Sequence, residues 1–210
     1  MKTDLLIAQL AQGAGPAPRE SLTRLLPGML TGLVVAAVVT VGLVGPLPAH
    51  DFLTPLPWIK LGPAFLLLAL AWAWVQRSAR PASRVLPVQR RVLGCWALLI
   101  AVGLLSLVGL SAEARMRAMM GQTWYICPCM LTVLSIPGLL LMLRAARGLP
   151  AANARQTGAA LGLLAGCISA VGYSLACPEA SPAFVALWYS TGLLLTTVLG
   201  ALLGPRWLKW

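Results

Sequence analysis

The chain has 210 residues, 59% hydrophobic and only 10% charged, with a mean hydropathy of +0.84. No soluble core of this size needs so much apolar surface, so a water-soluble globular domain is excluded and an integral membrane protein is expected. The net charge of +11 would suit nucleic acid, but no aromatic residues interleave with the arginines, so the basic charge reads instead as topology and lipid contact.

The opening, "MKTDLLIAQLAQGAGPAPRE", has no apolar run followed by a small-residue cleavage site, so it reads as a tail rather than a signal peptide. Within it Thr3 can cap a short helix with Asp4 in the first turn. Leu5, Leu6, Ile7 and Leu10 give that helix a broad apolar side. A helix of about nine residues is marginal alone in water, so it should form on a partner or on the membrane surface. "GAGPAP" then reads as a flexible or extended linker.

Six long uncharged runs follow: Leu25–Val44, Leu56–Val75, Val92–Leu110, Trp124–Leu143, Gly158–Ala176 and Phe184–Leu203. Each is about 20 residues, roughly 30 Å of helix, the thickness of the hydrocarbon layer. Lys60 lies inside the second, one turn from its end, and is expected to snorkel to the interface. Pro137 predicts a kink in the fourth. The predicted fold is an all-α integral membrane protein, a six-transmembrane-helix bundle over residues 25–205. A tail of residues 1–24 precedes it and a short tail of residues 206–210 follows.

Of the 16 basic residues, all but Lys60, Arg115 and Arg117 fall in the tails and the even-numbered loops. The positive-inside rule makes that side cytoplasmic, with both termini inside. Three spans carry small residues at a spacing of four: Gly28, Gly32, Ala36, Thr40; Gly158, Gly162, Gly166, Ala170, Ser174; and Gly192, Thr196, Gly200, Gly204. Small-xxx-small faces let helix backbones approach closely in lipid, so these ridges predict helix–helix seams.

The same topology sorts the five cysteines. Cys95 opens the third span at its cytoplasmic end and Cys167 lies in mid-membrane, where both serve as small apolar side chains. Cys127, Cys129 and Cys177 share one depth at the external boundary. In a bacterium that boundary faces the oxidising periplasm. Cys177 continues the small-residue ridge of the fifth span and should point at a neighbouring helix. Pro128 suits a first helical turn, and two helical positions separated by two residues differ by about 200°, so Cys127 and Cys129 cannot both face one partner. Either could meet Cys177, since a disulfide needs Cα atoms within about 7 Å. Thiolates there could also take a soft metal ion, or all three cysteines could serve packing alone.

Enzyme readings fit poorly. A quinone-linked thiol oxidase wants two redox pairs, usually with C-x-x-C spacing, and three external cysteines without that spacing do not supply them. "ICPCM" brings to mind metal-pumping ATPases, but no phosphorylation or nucleotide-binding segment accompanies it. His50 is the sole histidine, so a histidine-based metal or acid–base site is excluded. No cofactor is expected. A small membrane thiol-redox or soft-metal-handling protein is the alternative to a regulator.

Four stretches carry a family resemblance: "MKTDLLIAQLA", "WIK" around Lys60, "TWYICPCMLTVLSIP", and "CPEASPAFVALWYSTGLLLTTVLGALLGPRWLKW". Together they run nearly end to end, and the sequence resembles the NrsF-type six-span anti-sigma factors of proteobacteria. The resemblance implies an inner-membrane protein that holds an extracytoplasmic-function (ECF) sigma factor inactive. Oxidants or heavy metals modifying two periplasmic cysteines would then release it. The family's two cysteines fall on Cys127 and Cys177; Cys129 is additional, and Ala176 stands where a histidine is expected. The sigma-binding surface would be the tail, through Asp4, Leu5, Leu6, Ile7 and Leu10, with the Arg-rich second loop as a further contact.

Overall fold

The computed structural model describes residues 23–46, 48, 56–80, 84–147, 153–179 and 181–208. The expected helix around Asp4–Leu10, the linker after it, and His50 lie outside the described residues. Among the described residues every regular element is helical. Six helices are long and apolar enough to cross a membrane. They are α1 (Leu26–Val44), α2 (Leu56–Ser78), α3 (Leu86–Leu105), α5 (Cys127–Ala145), α6 (Ala154–Ser174) and α7 (Pro182–Trp207). A seventh helix, α4 (Ala112–Met120), is short and exposed.

Local chemistry explains the helix starts. One proline occupies the first or second position of each of α3, α5 and α7, where the missing N–H costs nothing. Asn153 caps α6, its Oδ1 accepting from the Arg155 and Gln156 amides at 3.0 and 3.1 Å. Ser111 caps α4 by accepting from the Ala114 amide, Glu113 sits in the first turn, and Gly121 ends the helix at φ +54°. This helix went unread in the sequence because it is neither long nor uniformly apolar.

Boundaries moved most in α3, expected over Val92–Leu110. The helix begins six residues earlier and takes in Arg90 and Arg91, because Pro87 starts it and long arginine side chains tolerate a helical backbone at an interface. Cys95 therefore sits mid-helix rather than at a helix end. Helix α2 extends to Ser78 and α7 to Trp207, and α5 runs on through Pro137.

Helix α6 is the centre of the bundle and is buried almost throughout. The predicted ridges are its contact faces. Gly28, Gly32, Ala36 and Thr40 are the buried residues of α1. Gly192, Thr196, Gly200 and Gly204 supply all but one of the buried positions in the regular part of α7. A Cβ at Gly158 would run into the Gly200 carbonyl and lie 2.8 Å from the Gly204 Cα, so α6 and α7 meet backbone to backbone. Helix α1 uses its ridge against α5, with a Cβ on Gly32 placed 3.2 Å from the Gly138 Cα. Within the core Ser169 Oγ of α6 donates to the Leu131 carbonyl of α5 at 2.9 Å.

The bundle has two distinct ends. One gathers Arg77, Arg80, Arg84, Arg90, Arg91, Arg144, Arg147, Arg155 and Arg206 at or near helix termini, with Arg147 stacked 4.6 Å over Trp207. The other holds Lys60, α4, the start of α5 and the α6–α7 connection.

Candidate functional site: a buried pair of thiols

At the second end, α5 starts at Cys127, so both cysteines of "CPC" fall in its first turn. The 200° between them separates their fates: Cys127 is fully buried and Cys129 is exposed. Cys129 lines a shallow apolar groove with Val133, Leu195 and Val198. Cys177 follows the end of α6, 1% exposed, its amide still donating to the Tyr173 carbonyl at 3.1 Å. The structure thus brings Cys127 and Cys177 together and leaves Cys129 apart. Cys95 and Cys167 are buried within α3 and α6, and all five cysteines are free thiols.

What joins the pair is a set of side chains that sequence reasoning did not connect to it. The Tyr173 hydroxyl lies within hydrogen-bonding reach of both Cys127 and Cys177. Tyr189, from the π-helical turn Val185–Tyr189 that opens α7, packs with its ring centroid 6.0 Å from that of Tyr173. Its buried hydroxyl has no hydrogen-bond partner among the described residues and lies toward Cys177. Lys60 completes the cluster. It does not snorkel: it is 3% exposed and its Nζ donates to the Cys177 carbonyl at 2.5 Å. A charge at this depth needs a partner, and the carbonyl of Cys177, lying past the last turn of α6, supplies one. The available signal was a lone lysine in an apolar run; its partner, 117 positions away, could not be read from spacing.

A cover closes over the thiols. Glu179, two residues past Cys177, accepts from the Gln122 amide at 2.6 Å and from the Thr123 hydroxyl at 3.4 Å. Gly121 passes so close that a Cβ there would lie 2.5 Å from the Glu179 carboxylate. Trp188 Nε1 donates to the Met119 carbonyl at 2.8 Å and its ring packs 5.4 Å from Trp124. With Cys127 fully buried and Cys177 1% exposed, a reagent can reach either thiol only when the packing around it opens. Replacing Glu179 with Gln removes a charge-assisted hydrogen bond and should speed alkylation of both thiols roughly tenfold, read by mass spectrometry of the labelled peptides. An unchanged rate would mean that the cover opens elsewhere.

Among the described residues no three His, Cys, Asp or Glu side chains are grouped to hold a metal ion. With two thiols, two phenols and an ammonium, the cluster can undergo thiol modification or take a two-coordinate soft ion.

Six helices of membrane-crossing length, packed by small-residue seams around one internal helix and closing over two buried thiols at one end, define an all-helical thiol-bearing bundle. The family described as "NrsF: Negative regulator of sigma F" matches residues 10–210. A "Probable anti-sigma-F factor NrsF" from Azospira oryzae is 33% identical over the whole of both chains. An "Anti-sigma-F factor NrsF" from Caulobacter vibrioides is 32% identical, again over the whole of both. The chain belongs to the NrsF family, whose members are regulators rather than enzymes. No solved structure matches it.

Proposed function

We propose that the protein is an inner-membrane anti-sigma factor: it sequesters an ECF sigma factor on the cytoplasmic side and frees it when Cys127 and Cys177 are modified by oxidants or heavy metals. Family membership supports the sigma partner. An inverted burial pattern supports membrane insertion. Helix α1, the most apolar, is among the least buried, whereas α6, the least apolar, is the most buried. Leu30, Val38, Leu43, Leu93 and Val108 stand exposed on the outside. Water would penalise that arrangement and lipid does not. The basic end then faces the cytoplasm by the positive-inside rule, which puts both termini there and the thiol cluster toward the periplasm.

The observation that carries the switch is the burial of Cys127 and Cys177 together against Tyr173 and Lys60. Any group added to either sulfur must displace something already packed, which costs a well-packed core about 1–3 kcal/mol. Such a displacement can move α2, α5 and α6 relative to one another. The test is co-purification from solubilised membranes. A sigma factor should accompany the protein in equimolar amount, and a thiol oxidant should strip it from wild type. In Cys177→Ser, oxidant-driven release should fall at least tenfold. An equal release from the variant would remove the thiols from the mechanism, and no co-purifying sigma factor would sink the reading and favour the thiol-redox alternative.

A further inference from the structure

Lys60 ties α2 to the segment that carries Cys177. It is 3% exposed, and the described titratable groups around it come from several elements. They are Cys127 from α5, Cys177 and Glu179 from the α6–α7 connection, and Tyr189 from α7, while Tyr173 from α6 meets the same two thiols. Its Nζ has three donors and spends one on the Cys177 carbonyl. That bond places the amine against the backbone of the residue that carries one of the two buried thiols. A thiolate, not a thiol, is the nucleophile and the metal ligand, and a buried thiolate needs a cation beside it.

We propose that Lys60 is a positioning residue of the thiol site. Its ammonium fixes the Cys177 segment by the carbonyl and supplies the counter-charge for a thiolate at Cys127 or Cys177. This rests on the reading of those two cysteines as the reactive pair. The same contact links chemistry to movement. Capping the sulfur with a neutral group abolishes the thiolate that the buried ammonium would compensate and adds bulk beside it, which disfavours the closed arrangement. Helix α2 carries Lys60 near one end and Arg77 near the other, so a displaced Lys60 moves a continuous helix of about 25 Å that reaches the basic end.

The experiment uses the purified full-length protein without a sigma factor. Iodoacetamide labels each cysteine across a pH series, and peptide mapping reads Cys127, Cys177 and the exposed Cys129 separately. Alkylation joins the sulfur to the reagent's carbon, expels iodide and leaves a neutral thioether, the thiol proton having gone to solvent. In Lys60→Met the pH midpoint for Cys127 or Cys177 should rise by about one unit, giving about tenfold slower labelling at pH 7. Lys60→Arg should keep the wild-type midpoint, and Cys129 should react alike in all three proteins. A midpoint unchanged in Lys60→Met, or rates changed by one factor at every pH, would overturn the proposal by reducing Lys60 to packing. Lys60→Gln, which keeps a donor but no charge, takes the place of Lys60→Met should that variant fail to accumulate. Because no sigma factor is present, failure here leaves the proposed sigma switch standing, while an oxidant response unchanged in Cys177→Ser would sink that switch without touching this result.

Discussion

Gly162→Ile should abolish the folded protein. The Cβ alone would run into the Thr196 carbonyl and sit 3.1 Å from the Gly200 Cα. Those are backbone atoms of α7, so no side chain can swing aside; the two helices must separate along their whole seam. Overpacking in an adaptable core costs about 1–3 kcal/mol, and this site has no adaptable neighbour, so the loss should reach or exceed the top of that range. Gly62 and Gly94 provide the contrast, since nothing lies within 4 Å of a Cβ at either. Alanine at those positions should be neutral or slightly stabilising through helix propensity. Heating detergent-purified protein and measuring what stays monodisperse reads both results. A Gly162→Ile midpoint within a degree or two of wild type would mean that the α6–α7 seam is not what holds the bundle.

That seam was legible in the sequence because small residues at a spacing of four have one strong physical use in lipid. The six spans were legible for a related reason, since length and apolarity leave few other structures. Their ends were less so. Hydropathy sees where charge begins, whereas proline and capping side chains decide where helix begins, and in α3 the two differ by six residues. Helix α4 shows the same blindness: its signals are Ser111, Glu113 and Gly121, not an apolar run. At the thiol site, depth and phase brought out Cys127, Cys129 and Cys177, and the first turn of α5 places only Cys127 inward. The polar shell could not be reached that way. Tyr173, Tyr189, Glu179 and Lys60 come from four places in the chain, and only the fold sets them around one point. The lysine is instructive, because snorkelling is the right default for a lysine one turn from an interface. Here a carbonyl left over at the end of α6 competes with water and wins.

Deleting residues 1–12 should turn the sigma-dependent genes on constitutively, to the level reached by deleting the whole protein. The described basic end offers a sigma factor mainly arginines on helix termini, which can steer an acidic surface but contribute little net affinity at exposed positions. The tail offers Leu5, Leu6, Ile7 and Leu10 beside Asp4, apolar side chains of the kind a partner's groove buries. Two buried anchors at 2 kcal/mol or more each amount to roughly a thousandfold in affinity. Removing four would leave no inhibition at cellular concentrations. The relatives from Azospira oryzae and Caulobacter vibrioides align along the whole chain, tail included. A reporter for the target genes, with membrane immunoblots to show the shortened protein at wild-type abundance, separates lost binding from lost protein. Leu6→Glu and Ile7→Glu, which leave the chain intact, should reproduce most of the effect. Repression persisting in the deletion would take the tail out of the interface and move the search to the arginines between α2 and α3.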